Sequence, residues 1–281
     1  MQGGDKTAQV LAVTRGGGLY HAEGSWAGFG RIGTGHHGPV AGTVGAVVAD
    51  RLHAVAVTRT GGLLHAVRGS GGAWGRFADV KSYTGNPGAV ADVAATSVDD
   101  GLALVVRTAT GGVFGTTRRD DGSWAGLAYL KGLAGDPGFV TDLAVAAAGG
   151  GLHVLVATNR GRLCHAIRLP DGSWRPFRDV GPHDGRVAAA GVGGEVHVLA
   201  HAVDRVGHLV WRADGTWSDG AEVDPGAPVA DLAAAGVGDD LHVLATTAAG
   251  RLVHAVRYAD GSWAGFAATG EPDRVARASI T

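Results

Sequence analysis

The chain has 281 residues, 45% of them hydrophobic, enough to bury a substantial core, and a formal charge of -2 that leaves no basic excess for nucleic acid or an anionic membrane surface. Fifty glycines against nine prolines, with no Gly-X-Y period, exclude collagen and favour a β protein with many tight turns. A single cysteine, Cys164, excludes an internal disulfide and a multi-thiolate zinc site.

The N-terminus lacks the basic start and apolar run of a secretory signal, and no stretch of 18 apolar residues follows, so the chain as written reads as soluble and cytoplasmic. Its first strand-like run is "AQVLAVT" at 8–14. From there one block recurs: "LYHAEGSWAGF" at Leu19, "LLHAVRGSGGAWGRF" at Leu63, "VFGTTRRDDGSWAGL" at Val113, "LCHAIRLPDGSWRPF" at Leu163, a weaker "GHLVWRADGTW" at Gly207 and "LVHAVRYADGSWAGF" at Leu252. Trp26, Trp74, Trp124, Trp174, Trp217 and Trp263 keep time at intervals of 48, 50, 50, 43 and 46, with Trp211 out of phase. Val40, Val90, Val140, Val187, Val229 and Val275 mark a second position, each opening an Ala-rich run after a loop. Counted from Val275 through Thr281 and on from Met1, Val40 lies 46 positions along, so the period closes across the termini.

A strand-rich period in the forties predicts an all-β, six-bladed β-propeller with four antiparallel strands per blade. Its single domain is divided as 275–281 plus 8–32, 40–80, 90–130, 140–180, 187–223 and 229–269. In the last full unit the strands are 229–237, 241–247, 251–258 and 263–269, separated by "GDD", "AAG" and "DGS" turns. The first unit lacks an inner strand, and "RVARASIT" at the end of the chain supplies one. Val275 to Ile280 is expected to pair beside Ala8 to Thr14 and shut the ring, removing open sheet edges.

Asp-Gly-Ser is hairpin chemistry. Trp with Phe29, Phe77, Phe177 or Phe266 three residues on reads as a packing wedge between blades, the alternative being a sugar-stacking platform. His21, His65, His165, His208 and His254 share one repeat position and His53, His153, His197 and His242 another; unit three has Gly115 and Ala103 instead. Six-fold spacing outside the innermost strand is too wide for a shared metal, so no metal and no cofactor is expected; backbone or inter-blade bonding is the simpler role. Three residues after the first series come Arg68, Arg118, Arg168 and Arg257, replaced by Glu23 and Trp211 in units one and five. His and Arg then face opposite sides of a strand, so a His of one blade approaches the Arg of the next, which serves sugar hydroxyls or an inter-blade ion pair with an Asp.

The block Leu-aromatic-His-x-x-Arg-x-x-Asp-Gly-Ser-Trp-x-x-Phe, with loops such as "GDPG" at 135–138 and "GNPG" at 85–88, resembles the tectonin-like propellers and PLL-type bacterial lectins over nearly the whole chain. The resemblance implies a carbohydrate-binding protein holding fucose or related sugars in shallow pockets between blades. Its ligand-binding residues would be Tyr20, His21, His65, Arg68, Phe114, Arg118, His165, Arg168, His208, Trp211, His254 and Arg257. Such lectins commonly have seven blades and an aromatic residue just before the histidine. Here that position holds Tyr20, Leu64, Phe114, Cys164, Gly207 and Val253, so fewer than six pockets are expected, the best near Tyr20 and Phe114.

A different class of function places one site at the mouth of the central channel. There His183, Asp184, His37, Asp204 and Arg205, with His36, Tyr83, Asn86, Arg15, Arg59 and Arg160 nearby, would supply acid–base chemistry to an enzyme or a single small-molecule site. No nucleophile elbow, phosphate loop, HExxH or Rossmann pattern occurs.

Overall fold

The computed structural model describes residues 8–281 apart from 25, 27, 100, 184, 203, 204, 219 and 220. Blade 1 contains β1 (Gln9–Thr14), β2 (Leu19–Glu23) and β3 (Gly30–Ile32); blade 2, β4 (Val40–Val48), β5 (Arg51–Thr58), β6 (Leu63–Val67) and β7 (Ala78–Asp79). Blade 3 contains β8 (Val90–Val98), β9 (Gly101–Thr108), β10 (Val113–Arg118) and β11 (Ala128–Tyr129); blade 4, β12 (Val140–Ala148), β13 (Gly151–Thr158), β14 (Arg162–Arg168) and β15 (Trp174–Pro182). Blade 5 contains β16 (Val187–Val192), β17 (Glu195–Ala202), β18 (Arg205–Trp211) and β19 (Ala221–Val223); blade 6, β20 (Val229–Val237), β21 (Asp240–Thr247), β22 (Leu252–Arg257) and β23 (Trp263–Ala268). The last strand, β24 (Val275–Ile280), pairs antiparallel with β1 from Val10 opposite Ile280 to Thr14 opposite Val275. Six four-stranded sheets result, with blade 1 in the order β24-β1-β2-β3. The predicted closure is therefore the one observed.

Each blade is buried on both faces, which is why its strands are continuously apolar rather than alternating. The core is not one mass: six apolar clusters fill the six spaces between neighbouring blades. Leu11, Leu19, Ala54 and Leu64 join blades 1 and 2, while Leu244, Leu252, Val10 and Ala12 join blades 6 and 1. Asp-Gly-Ser hairpins connect third and fourth strands, with Gly122, Gly172 and Gly261 at φ of 86 to 88°. In blades 2, 3 and 5 the tryptophan makes one isolated bridge and the outer strand resumes later, whereas in blades 4 and 6 it begins the strand itself.

The inner strands crowd where blades 4, 5 and 6 meet near one end of the axis. A Cβ at Gly191 would overlap the carbonyl oxygen of Ala147, and one at Gly236 would overlap that of Gly191. Backbone, unlike a side-chain tip, cannot step aside. Gly191→Ala is expected to cost about 3 kcal/mol, the upper part of the range for overpacking, measured by denaturant unfolding.

Candidate functional site

Five of the six grooves between blade n and blade n+1 share one plan, the exception lying between blades 3 and 4. On the blade n side, His153 of β13 lies opposite Ile167, and His165 of β14 lies opposite Leu155, so the two imidazoles are diagonal neighbours on one face of the sheet. They hydrogen-bond, Nδ1 to Nε2, at 2.9 Å. The same bond joins His53 and His65 at 3.1 Å, His197 and His208 at 3.0 Å, and His242 and His254 at 3.1 Å. In blade 1 the side-chain oxygen of Gln9 replaces the first histidine, 2.8 Å from His21 Nε2. The two histidine series that the sequence separates thus meet as one pair in each of blades 2, 4, 5 and 6.

Blade n+1 contributes a tryptophan, which meets the pair edge to face. His21 meets Trp74 at a centroid distance of 5.5 Å, His65 meets Trp124 at 5.3 Å, His165 meets Trp217 at 5.3 Å, His208 meets Trp263 at 5.4 Å and His254 meets Trp26 at 4.5 Å. Burial holds the rings neutral: desolvation lowers His53, His153, His197 and His254 to about 4 and His65, His165 and His208 to about 3. The guanidinium of the following blade adds to this, Arg68 acting on His21, Arg118 on His53 and His65, and Arg257 on His197 and His208. His of one blade and Arg of the next do approach, as alternation along the strand requires.

The arginines lie over the hairpin turn. The Nη2 atoms of Arg68, Arg118, Arg168 and Arg257 lie 3.2, 3.0, 3.8 and 3.3 Å from where a Cβ would stand on Gly72, Gly122, Gly172 and Gly261. Glycine at this position therefore answers two needs, positive φ and room for a guanidinium lying on the turn. Arg68 also donates from Nε to the Gly72 carbonyl at 3.1 Å.

The six grooves are not equivalent. Arg68, between blades 1 and 2, is held by the carboxylate of Glu23 through two hydrogen bonds of 2.8 and 3.2 Å. Between blades 3 and 4 there is no histidine pair, and Leu130 fills its space, its Cδ2 3.1 Å from where a Cβ on Gly115 would be. Between blades 4 and 5 Trp211 takes the arginine position and packs on His153 at 4.6 Å. Between blades 6 and 1 Trp26 is buried and donates to the Ala8 carbonyl at 3.0 Å, and Glu23 occupies the arginine position of the repeat. Arg118 with Trp124 and Arg257 with Trp263 stand half-buried over intact histidine pairs, and among the described residues neither arginine forms a salt bridge. Phe114 lies over Gly112 and meets the exposed Tyr129 at 5.1 Å; Tyr20 folds back over Gly18.

The residues read for a site at the channel mouth are His183, Asp184, His37, Asp204 and Arg205. Asp184 and Asp204 lie outside the described residues. His37 stacks on His36 at 4.3 Å, His183 Nε2 lies 3.2 Å from the Gly185 carbonyl, and Arg205 pairs with Glu222 of β19 on the outer rim. None of His37, His183 and Arg205 is among the described residues lining the channel, whose wider part, about 640 Å³, is walled mainly by Ala and Gly.

Toward the other end of the channel a ring of inner-strand residues meets on the axis: Gly42, Asp92, Asp142, Arg186, Asp231 and Arg277. Arg277 Nη1 reaches past Gly42 to Asp92 at 2.7 Å, and Arg186 touches Asp142 at 2.8 Å, Asp92 at 3.3 Å and Asp231 at 3.5 Å. Burial and the neighbouring Asp92 carboxylate push Asp142 up to about 7, whereas Arg277 and Arg186 keep Asp92 low despite its burial. The signal was present as Val-x-Asp at 90–92, 140–142 and 229–231, an acid recurring on an otherwise apolar strand. Among the described residues no group of three His, Cys, Asp or Glu is placed to hold a metal ion.

No protein-family model and no curated protein matches this sequence. Solved structures do. The BP39L lectin of Burkholderia pseudomallei superposes with a TM-score of 0.68 at 20% identity, over 96% of this chain and 82% of that one. The lectin of Aleuria aurantia, described as a six-bladed β-propeller with a novel fucose recognition mode, gives 0.63 at 14% identity over 95% and 97%. SapL1 lectin, in complex with alpha methyl fucoside, gives 0.61 at 16% over 84% and 81%. The chain shares their propeller fold. At these identities the fold is what is shared.

Proposed function

We propose that this protein is a carbohydrate-binding lectin, taking fucose or a related sugar in the grooves between blades, as the tectonin-like and PLL-type resemblance implies. The observation that carries this reading is the groove between blades 2 and 3. A planar guanidinium, Arg118, lies over its hairpin glycine beside the half-buried indole of Trp124, above a neutral histidine pair. Sugars present hydroxyls on their edges and C–H groups on a face, so a rigid fork of donors next to an aromatic surface suits them. The structural neighbours include lectins solved with fucosides, which supports the same ligand class.

Screening the protein on a glycan array and titrating it with alpha methyl fucoside tests this. Retention of fucosylated glycans is expected, with Trp124→Ala weakening binding to its groove about tenfold, the equivalent of about 1.4 kcal/mol. A folded protein that retains no glycan would refute the reading.

A further inference from the structure

We infer that the ring carries two working sugar sites, at the grooves between blades 2 and 3 and between blades 5 and 6, so that each chain is a bivalent cross-linker with its sites on opposite sides of the axis. The inference rests on the lectin reading above. It adds which grooves are open and how many.

Three features decide competence: an arginine whose donors are not consumed by a carboxylate, an indole with accessible surface, and beneath both a hydrogen-bonded pair, two histidines or the Gln9–His21 pair of blade 1. The groove between blades 1 and 2 fails on the first, because Glu23 grips both terminal nitrogens of Arg68. Blades 3 and 4 fail on the third, with Leu130 packed where the pair would be. Blades 4 and 5 have Trp211 in place of the arginine. Blades 6 and 1 have Glu23 in place of the arginine, and Trp26 is only 6% exposed. Arg118 with Trp124 and Arg257 with Trp263 satisfy all three. Blades follow one another round a ring of six, so grooves three steps apart face away from each other across the channel. Such a pair cannot engage one small saccharide together. It can bridge two glycans on different molecules or surfaces, where the second attachment gains from effective concentration.

The two sites differ in their rims. Phe114 and Tyr129 flank the first, whereas Val253 stands at the position of Phe114 in the second. The first is therefore expected to be the tighter.

Calorimetric titration of the full chain with alpha methyl fucoside reads the stoichiometry directly. Two sites per chain are expected; Arg118→Ala and Arg257→Ala should each leave one, the double variant none, and Arg168→Ala should leave two. Glu23→Ala offers a test by gain, since releasing Arg68 opens the groove between blades 1 and 2 and should raise the count to three. Near-ultraviolet circular dichroism establishes that each variant is folded. A parent stoichiometry of one, or of three or more, or loss of a site in Arg168→Ala, would overturn the two-site assignment while leaving the lectin intact. Absence of binding to any glycan would remove the lectin itself.

Discussion

Lowering the pH from 7 to 5 is expected to destabilise the propeller steeply, in one cooperative step. Nine histidines sit in the groove pairs, each with its folded pKa below the ordinary 6.5 because burial penalises the charged ring. Between that value and the folded values of about 3 to 4 the unfolded chain binds protons that the folded chain refuses, so stability is complete above 6.5 and lost as pH falls below it. Each such ring costs about 1.4 kcal/mol per unit of pH. All nine rings accept a proton in the unfolded chain; counting only five of them, a discount for solvent screening of the partly exposed pairs, still gives a loss of about 7 kcal/mol per unit, comparable with the whole stability of a typical domain at about 5–15 kcal/mol.

Asp142 acts in the opposite sense. Its folded pKa is raised to about 7, so its contribution to stability grows as pH falls through that value, and burial raises Asp231 as well, but these are two carboxyls against nine histidines. Tryptophan fluorescence and circular dichroism during acid titration should therefore show unfolding between about pH 6 and pH 4. His153→Gln, which copies the Gln9–His21 arrangement of blade 1, should move the midpoint slightly downward. An unfolding free energy that stays level from pH 7 to 5 would refute this account.

Replacing Arg277 by Ala is expected to cost about 3–5 kcal/mol, the penalty for leaving buried charges without their partner. Arg277 is the one ring residue contributed by the closing strand, and it binds Asp92 on a blade two steps away, 185 positions earlier in the chain. Without it Asp92 keeps Arg186 at 3.3 Å and Arg107 at 3.8 Å, while Asp231 keeps Arg186 and the Ala278 amide. The charge network thus fastens the C-terminal strand to the middle of the chain, beyond the hydrogen bonds that fasten it to β1. Removing residues 275–281 altogether goes further, since blade 1 loses its inner strand and both flanking grooves lose their innermost wall. That variant is expected to be recovered only as aggregate, because its exposed β1 edge is a template for pairing. Denaturant unfolding of Arg277→Ala within about 1 kcal/mol of the parent would show that the ring does not clamp the closure.

The glycines of the Asp-Gly-Ser turns, the tryptophan clock and the valine markers made the blade count, most strand limits and the closure readable in the sequence, because each depends on hydrogen bonding and turn geometry within some fifty residues. One marker misleads. Val187 looks in phase with Val140, yet its register opposite Ala200 matches Leu143 opposite Val156. Among the described residues β16 pairs from Val187 onward, and Arg186 falls where Asp142 stands in blade 4.

The histidine pairs were half legible. Two series were visible, but that they bond to each other follows only from the strand register, which sets His153 and His165 diagonally on one face. Which grooves are open was legible only in part: the breaks at Glu23, Gly115 and Trp211 and the aromatics Tyr20 and Phe114 marked the grooves as unequal, but not what those residues touch. Glu23 seizing Arg68, Leu130 filling the space beside Gly115 and Trp211 packing on His153 are contacts between segments that repeat spacing treats as equivalent. By itself the sequence determined the repeating unit and its closure, since these are local or nearest-neighbour properties. Only the tertiary structure decided the charged ring on the axis and which of the grooves stand open, because both arise where side chains from different blades compete for the same space.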